Sequence, residues 1–560
     1  MSHASDFEEL HEQLHQFAQH VPGVLCRAKL TEELAKDIVA TLSVAKSHFT
    51  MAVAGQMKVG KSTLINSMIG ADLAIPGVNE TTATVNWFRY GTVEQASQFR
   101  VVWNDAQQSS EMYDLSEKEK WLGNSEMAAR TRYLEFFSPA DFLKKVHVVD
   151  TPGTRSTIES HGEVSQGFLH AADRAEADTL FYGGIADCIC YVLPHVTRIH
   201  DNEFLSKFAA ESRLPQSSPY NSVGLLHKWE MIQDPAPWNV AARQSETAFN
   251  ALKSYLCDVI PVSGPLGRAC QICPDSFWQN LVDIVAGTTA DAFELLTSQE
   301  SRFTRDEPEC CFSNDRRQEL LNESHLPWPC FKVVLLLARS RKLSSGDRLL
   351  SAVREISGID RLLEFLDRRF FDRSRLIHAS TVLCRALRVT ETARGRIRDR
   401  RSELEATLAV GRQAMDEVGT SETFPKARAF IERHLSSIAV ETAELEEIQR
   451  ELEQHTGIVQ QSFEAFELDC RAVQALDSQP SMFDPEERIE IMRLLGAYGT
   501  SISHRLGVNV TENLTDLLYD RLDYWLVRRM KESGDARFVI ERIVARIESV
   551  IKQMNRRVFT

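Results

Sequence analysis

The chain has 560 residues, enough for two or three domains, with 64 Lys and Arg against 79 Asp and Glu for a formal charge of −15. That balance argues against a broad nucleic-acid interface, whose affinity rests on neutralised phosphates, so no nucleic acid is expected as a partner; a local basic patch at a membrane is still compatible with it. No apolar run approaches the ~18 residues of a membrane span, and eleven cysteines behind a polar, acidic start without a secretory signal read as reduced cytosolic thiols.

Taken in chain order, FEELHEQLHQFAQHV and LTEELAKDIVATLSVAK read as two amphipathic helices. His11 and His15 stand one turn apart, but with no carboxylate beside them they and His20 read as surface histidines. The first chemical signal is MAVAGQMKVGKSTLINSMIG, residues 51–70. Phe49–Ala54 has the pattern of a buried strand and Leu64–Ile69 that of a helix. Between them runs G-x-x-x-x-G-K-S, with Gly55, Gly60, Lys61 and Ser62 in the defining places, Gln56, Met57, Lys58 and Val59 inside the loop and Thr63 after it. Glycine lets successive backbone N–H groups close around a phosphate, and the following helix adds its positive end. Lys61 is placed for the β- and γ-phosphates and Ser62 for Mg²⁺.

A site of this kind needs a threonine from a mobile loop and an acidic residue at a strand end. IPGVNETTATVNWFRYG supplies three candidates: Thr84 falls inside the β-branched alternation of a strand, Thr82 is the expected metal ligand, and Thr81 is its alternative. KVHVVDTPG reads as a strand, Val146–Val149, ending in Asp150 for Mg²⁺, with the Gly153 N–H aimed at the γ-phosphate. ADCICYVLP is an apolar strand in which Cys188 and Cys190 read as core. NSVGLLHKWE is another strand, Val223–Leu226, followed by His227, Lys228 and Glu230. In guanine-binding GTPases an N/T-K-x-D stands here, the lysine stem stacking on the base and the carboxylate accepting from N1 and N2. Glu230 offers the same two oxygens on one more methylene. DVIPVSGPLG reads as a strand running to Ser263 and Gly264, whose backbone would line the base. Cys270-x-x-Cys273 with Cys310-Cys311 is a poor zinc set, because the second pair has no spacer. Val333–Ala338, the most apolar stretch, reads as internal packing.

These elements, in this order, resemble the GTPase domain of the dynamin superfamily, bacterial dynamin-like proteins above all, over residues 45–375. The likeness is carried by GQMKVGKSTLIN, TTATVNWFRYG, VVDTPG and IPVSGPLG, and ISGIDRLLEFLDRRF is similar to the closing helix of such domains. The resemblance implies an α/β GTPase (P-loop NTPase) domain with a mainly parallel sheet over residues 46–375. An all-α bundle or stalk would be built from residues 376–560 together with N-terminal helices in residues 1–45. It implies GTP and GDP as ligands, Mg²⁺ as cofactor, hydrolysis of the β–γ phosphoanhydride, a homodimer or nucleotide-dependent oligomer formed through the GTPase domain, and a stalk that remodels or tethers membranes from a cytoplasmic, peripheral position. Two departures stand out. Met57 occupies the place of the water-orienting glutamine of dynamins. Lys58 occupies the place where guanylate-binding proteins and atlastins carry an arginine finger, so it is the expected catalytic cation beside Lys61 and Thr82.

From Thr381 onward the chain reads as helical. Leu445, Leu452, Val459 and Phe466 recur every seven residues, while His455, Ser462 and Asp469 interrupt the adjacent seam, the pattern of a long helix packed on one side of a bundle. ALDSQPSMFDPEER breaks that helix at a candidate tip, residues 476–486. There Met482 and Phe483 either insert into a bilayer or pack beneath a helix started by Asp484, Pro485 and Glu487. A GTP-gated scaffold acting on a protein partner is the alternative function. A ribosome-assembly GTPase shares the motifs but would bring a basic RNA-binding domain.

Overall fold

A computed structural model describes residues 16–17, 19–44, 48–56, 58–74, 85–104, 108–122, 130–150, 186–194, 221–305, 312–371, 374–418, 425–479, 481–496, 505–507 and 514–558. Met57, Thr81, Thr82, Thr84 and Gly153 lie outside those residues, as do His11, His15, Cys310 and Cys311. The chain divides into two units, residues 48–374 and residues 1–47 with 375–560.

Among the described residues the first unit is built on a nine-stranded sheet. Its strands are β1 (Thr50–Gly55), β2 (Asn86–Tyr90), β3 (Gln98–Trp103), β4 (Glu111–Asp114), β5 (Thr131–Ser138), β6 (His147–Asp150), β7 (Cys188–Pro194), β8 (Ser222–His227) and β9 (Val259–Pro261), in the order β4-β3-β5-β2-β6-β1-β7-β8-β9. From β6 to β9 every pairing is parallel. β1, β7 and β8 are continuous apolar runs buried along almost their whole length, as strands covered on both faces must be. The other end is mixed: β2 runs antiparallel to β6, and β3 antiparallel to both β4 and β5. β3 alternates buried and open positions, the mark of a strand with one wet face.

Register positions the site. Val53 of β1 lies opposite Asp150 of β6, and Gly55 opposite Val192 of β7, so the loop leaving β1 emerges beside the carboxyl end of β6. Helix α1 (Lys61–Ile69) follows that loop, α2 (Pro237–Leu252) and α3 (Gly264–Ile272) flank β9, and α4 (Trp328–Ser340) closes the core. Val333, Val334, Leu335, Leu337 and Ala338 of α4 are buried in one apolar cluster with Phe277, Trp278 and Leu281. After the helix Ile359–Leu366 a π-turn buries Phe370 and Phe371, and Phe371 meets Phe49 edge-on at 6.1 Å, tying the end of this unit to its first strand.

The second unit is helical: the N-terminal helix Glu32–Val44 with α5 (Ser374–Val418), α6 (Pro425–Ser478), α7 (Pro485–Leu494), α8 (Leu514–Arg529) and α9 (Gly534–Val558). A Cβ on Gly411 of α5 would fall 2.4 Å from Leu435 of α6, so the two long helices approach closely there. Leu445, Ile448 and Leu452 are buried along α6. Asp469, fully buried, is held by Arg542 at 2.8 Å and Arg546 at 2.6 Å of α9. N-terminal residues join the same unit: Arg27 pairs with Glu451 at 2.7 Å, and the ring of His20 stacks on His455 at 5.2 Å. His455 is therefore a packed residue of the bundle.

The break near residue 480 corrects the insertion reading. Phe483 is only 4% exposed and stands edge-on to Trp525 at 6.2 Å, with Met482 packed against the same core. Asp484 accepts from the N–H groups of Glu486 and Glu487 while Glu487 reaches back to the Asp484 N–H, a capping box with Pro485 in the first turn. Packing beneath this capped helix already takes the ring out of water, leaving it no exposed face to offer a bilayer.

Candidate nucleotide-binding site

Two glycines make the loop possible. Gly55 has φ +150° and a Cβ there would sit 2.6 Å from the Val192 carbonyl; Gly60 has φ +100° and a Cβ there would sit 2.5 Å from the His227 ring. Between them Lys58 takes the left-handed region at φ +57°, a conformation that costs a side-chain-bearing residue on the order of 1 kcal/mol. Its side chain is exposed.

Lys61, 8% exposed, folds its ammonium back onto the Gly55 and Gln56 carbonyls, each at 3.1 Å. Burial lowers its pKa to about 8, with Asp150 pulling the other way. Asp150 is buried at the end of β6, and burial raises its carboxyl to about 6 against the opposing pull of Lys61 and of the Ser62 hydroxyl. Ser62 Oγ donates to Asp150 Oδ2 at 3.1 Å, while Oδ1 is buried without a partner. One carboxylate with an unpaired oxygen and one hydroxyl are hard donors that fit Mg²⁺, which is bound by one or two carboxylates plus substrate phosphates rather than by a full protein cage.

The other end of the loop is fixed by the turn after β8. His227 is 1% exposed; its Nε2 accepts from the Gly264 N–H at 3.2 Å and its ring lies against the Gly60 Cα. Burial drives its pKa down to about 4, beyond the smaller effects of Lys228 and of the Val59 backbone, so the ring is neutral. Lys228, also left-handed at φ +60°, donates from Nζ to the Lys58 carbonyl. Glu230 sits in the short turn Trp229–Met231 and is 6% exposed. Cys330 Sγ donates to its Oε1 at 3.4 Å, and Oε2 is buried without a partner. Burial raises the carboxyl's pKa, opposed by its own backbone N–H, by Cys330 and Ser263, and by Lys228.

The strand expected to reach Ser263 and Gly264 stops at Pro261. Ser263 instead caps α3, accepting from Leu266 N–H, and the Gly264 N–H is engaged by His227 instead of lining open space. Gly264 also lets α3 lie on α1, since a Cβ there would meet the Leu64 nitrogen at 3.0 Å. The structure thus joins Asp150, His227 and Lys228 by direct contact to the loop of Gly55, Gln56, Lys58, Val59, Gly60, Lys61 and Ser62, with Gly264 reached through His227 and Thr63 inside α1; Glu230 and Ser263 follow in the adjoining turns. Cys330 was not legible: it meets Glu230 from 100 positions away, with no motif to mark it. Cys188 and Cys190 lie fully buried in β7, and among the described residues no cluster of three or more His, Cys, Asp or Glu forms a metal cage.

Residues 51–176 match the family model described as the dynamin family. Over that segment the chain is similar to the dynamin family. A stretch of 128 residues is 32% identical to the isoniazid-induced protein IniC of Mycobacterium tuberculosis, covering 22% of this chain and 24% of the relative. Another of 156 residues is 26% identical to a bacterial dynamin-like protein of Nostoc punctiforme, covering 26% of this chain and 22% of the relative. The chain therefore spans about a quarter of the length of these two relatives. A solved structure described as an oligomerised bacterial dynamin pair for the long-range sensing and tethering of membranes aligns over 98% of this chain and 75% of that one, at 13% identity and a TM-score of 0.29.

Proposed function

We propose that this chain is a dynamin-like large GTPase whose unit of residues 48–374 binds GTP with Mg²⁺ and hydrolyses its β–γ phosphoanhydride, releasing GDP and phosphate. The observation that supports it most is the Ser62–Asp150 contact at 3.1 Å beside buried Lys61, with Asp150 Oδ1 left for a cation, inside a segment of the dynamin family. Lys61 exchanges its two carbonyl partners for β- and γ-phosphate oxygens. Ser62 and Asp150 hold the metal together with Thr82, and the Gly153 N–H meets the γ-phosphate. A metal held by these residues would supply positive charge to the phosphate oxygens on which negative charge develops. Glu230 reads guanine N1 and N2, Lys228 stacks its stem on the base, and Lys58 supplies the charge-compensating cation once a second GTPase unit covers the site. The test is Lys61→Ala. It removes the point charge on the phosphates, and GTP hydrolysis at the wild-type rate would refute the assignment.

Dimerisation through the GTPase unit, with the helical unit turning nucleotide state into movement on a membrane at the cytoplasmic face, extends this reading. Among the described residues no helix is long and apolar enough to cross a bilayer. The burial of Phe483 favours a second reading, a GTP-gated scaffold acting on a protein partner, because it removes the one insertion segment the sequence offers. Liposome co-sedimentation with and without a non-hydrolysable GTP analogue separates the two: nucleotide-dependent pelleting supports the membrane, and none at either state supports the scaffold.

A further inference from the structure

The base end of the site holds one group that no motif accounts for. Cys330 belongs to the first turn of α4, and it reaches across the core to Glu230 at 3.4 Å. Both side chains are withdrawn from solvent, 1% and 6% exposed. Burial drives the thiol's pKa well up, so Cys330 keeps its proton and acts as a donor. Its platform is firm: the Cys330 N–H bonds the Pro327 carbonyl at 2.9 Å, and Trp328 and Phe331 on either side pack on Phe303 at 5.6 and 5.1 Å.

Glutamate in place of aspartate adds a rotatable bond, and a base-reading carboxylate with that freedom needs something to fix its plane. Oε1 accepts from the thiol. Oε2 has no partner and is buried, a costly state that a ligand N–H relieves. We infer that Cys330 is a positioning residue for base selection: its S–H fixes Glu230 through one lone pair of Oε1 and so turns the carboxylate, with its remaining lone pairs and the unpaired Oε2, to the donor edge of a guanine. This rests on the reading of Glu230 as the base-reading carboxylate. The selected ligand class is a purine nucleotide with N–H donors at both N1 and C2, and an inosine nucleotide, lacking the exocyclic amine, loses part of the reward.

The experiment is competition binding of GTP and ITP to the full chain with Mg²⁺, read as the ratio of their dissociation constants. Wild type, Cys330→Ala, Cys330→Ser and Glu230→Ala are compared. Cys330→Ala should lower the ITP-to-GTP ratio by about three- to tenfold, the scale of one mis-set hydrogen bond to a charged group. Cys330→Ser, which keeps a donor of similar size, should retain the ratio. A merely structural role weakens both nucleotides together and leaves the ratio unmoved. If Glu230→Ala collapses the ratio while Cys330→Ala leaves it unchanged, the positioning role is overturned and base reading stands. If Glu230→Ala keeps the ratio as well, base reading itself falls and the inference with it.

Discussion

Replacing Asp150 with Asn should stabilise the nucleotide-free protein at neutral pH while abolishing its Mg²⁺-dependent response to GTP. Burial lifts the Asp150 carboxyl from 3.8 to about 6. That shift of about 2 units corresponds to about 3 kcal/mol. The sign follows from the direction. A carboxyl whose folded pKa is raised contributes stability that is fully present below its unfolded pKa and is lost as pH rises through about 6. At pH 7.5 the ionised group therefore weighs against the fold, and a neutral amide removes that weight. Two effects reduce the gain: Lys61 loses the partner that raises its pKa, and the amide places an unpaired N–H₂ where Oδ1 stood. A net gain of about 1–2 kcal/mol is left, or a rise of a few degrees in the melting midpoint. The assay is thermal unfolding in EDTA from pH 5 to 8, repeated with Mg²⁺ and GTP. The variant should melt above wild type at pH 7.5, lose that advantage as pH falls toward 5, and gain nothing from Mg²⁺ and GTP. A variant that melts below wild type at pH 7.5 without nucleotide refutes the reasoning.

Other consequences follow from the same geometry. Because burial lowers Lys61 to about 8, nucleotide binding at pH 8.5 should take up a proton; calorimetry in two buffers of different ionisation enthalpy should give different apparent enthalpies, and equal ones would count against it. Phe483→Ala should lower the melting midpoint of the helical unit, at about 3–5 kcal/mol for an emptied aromatic site, whereas a ring meant for a bilayer would leave the midpoint alone. Lys58→Ala should spare GTP affinity and basal turnover but remove the rise in specific activity with protein concentration; full retention of that rise ends its role as a cation delivered on pairing.

What the sequence revealed was whatever is contiguous. β1, β7 and β8 announce themselves as unbroken apolar runs, and the loop residues from Gly55 to Ser62 are fixed by spacing alone. The far side of the sheet carried no such signal. β4 is four residues, none of them buried, on an edge, and β3 alternates, so neither stands out from a loop until pairing with β5 defines it. The 483 turn shows the same limit from the other direction. Asp484, Pro485 and Glu487 spell a helix start, but the partner that buries Phe483 is Trp525 on a different helix. Cys330 and Glu230 meet only because α4 lies on the turn after β8.

The departure at His227 gains a physical sense from two contacts that join the loop after β1 to the turn after β8. At one end the imidazole fills the space that Gly60 leaves open and accepts from Gly264; at the other, Lys228 holds the Lys58 carbonyl. A shorter asparagine in that place would reach less far into the space that Gly60 leaves open. Because the Lys58 backbone is pinned through its carbonyl in a left-handed conformation, its side chain is free to point outward without disturbing the loop. On the proposed reading, a cation that acts when a second copy arrives would use that combination: a backbone fixed by the turn after β8, and an exposed side chain.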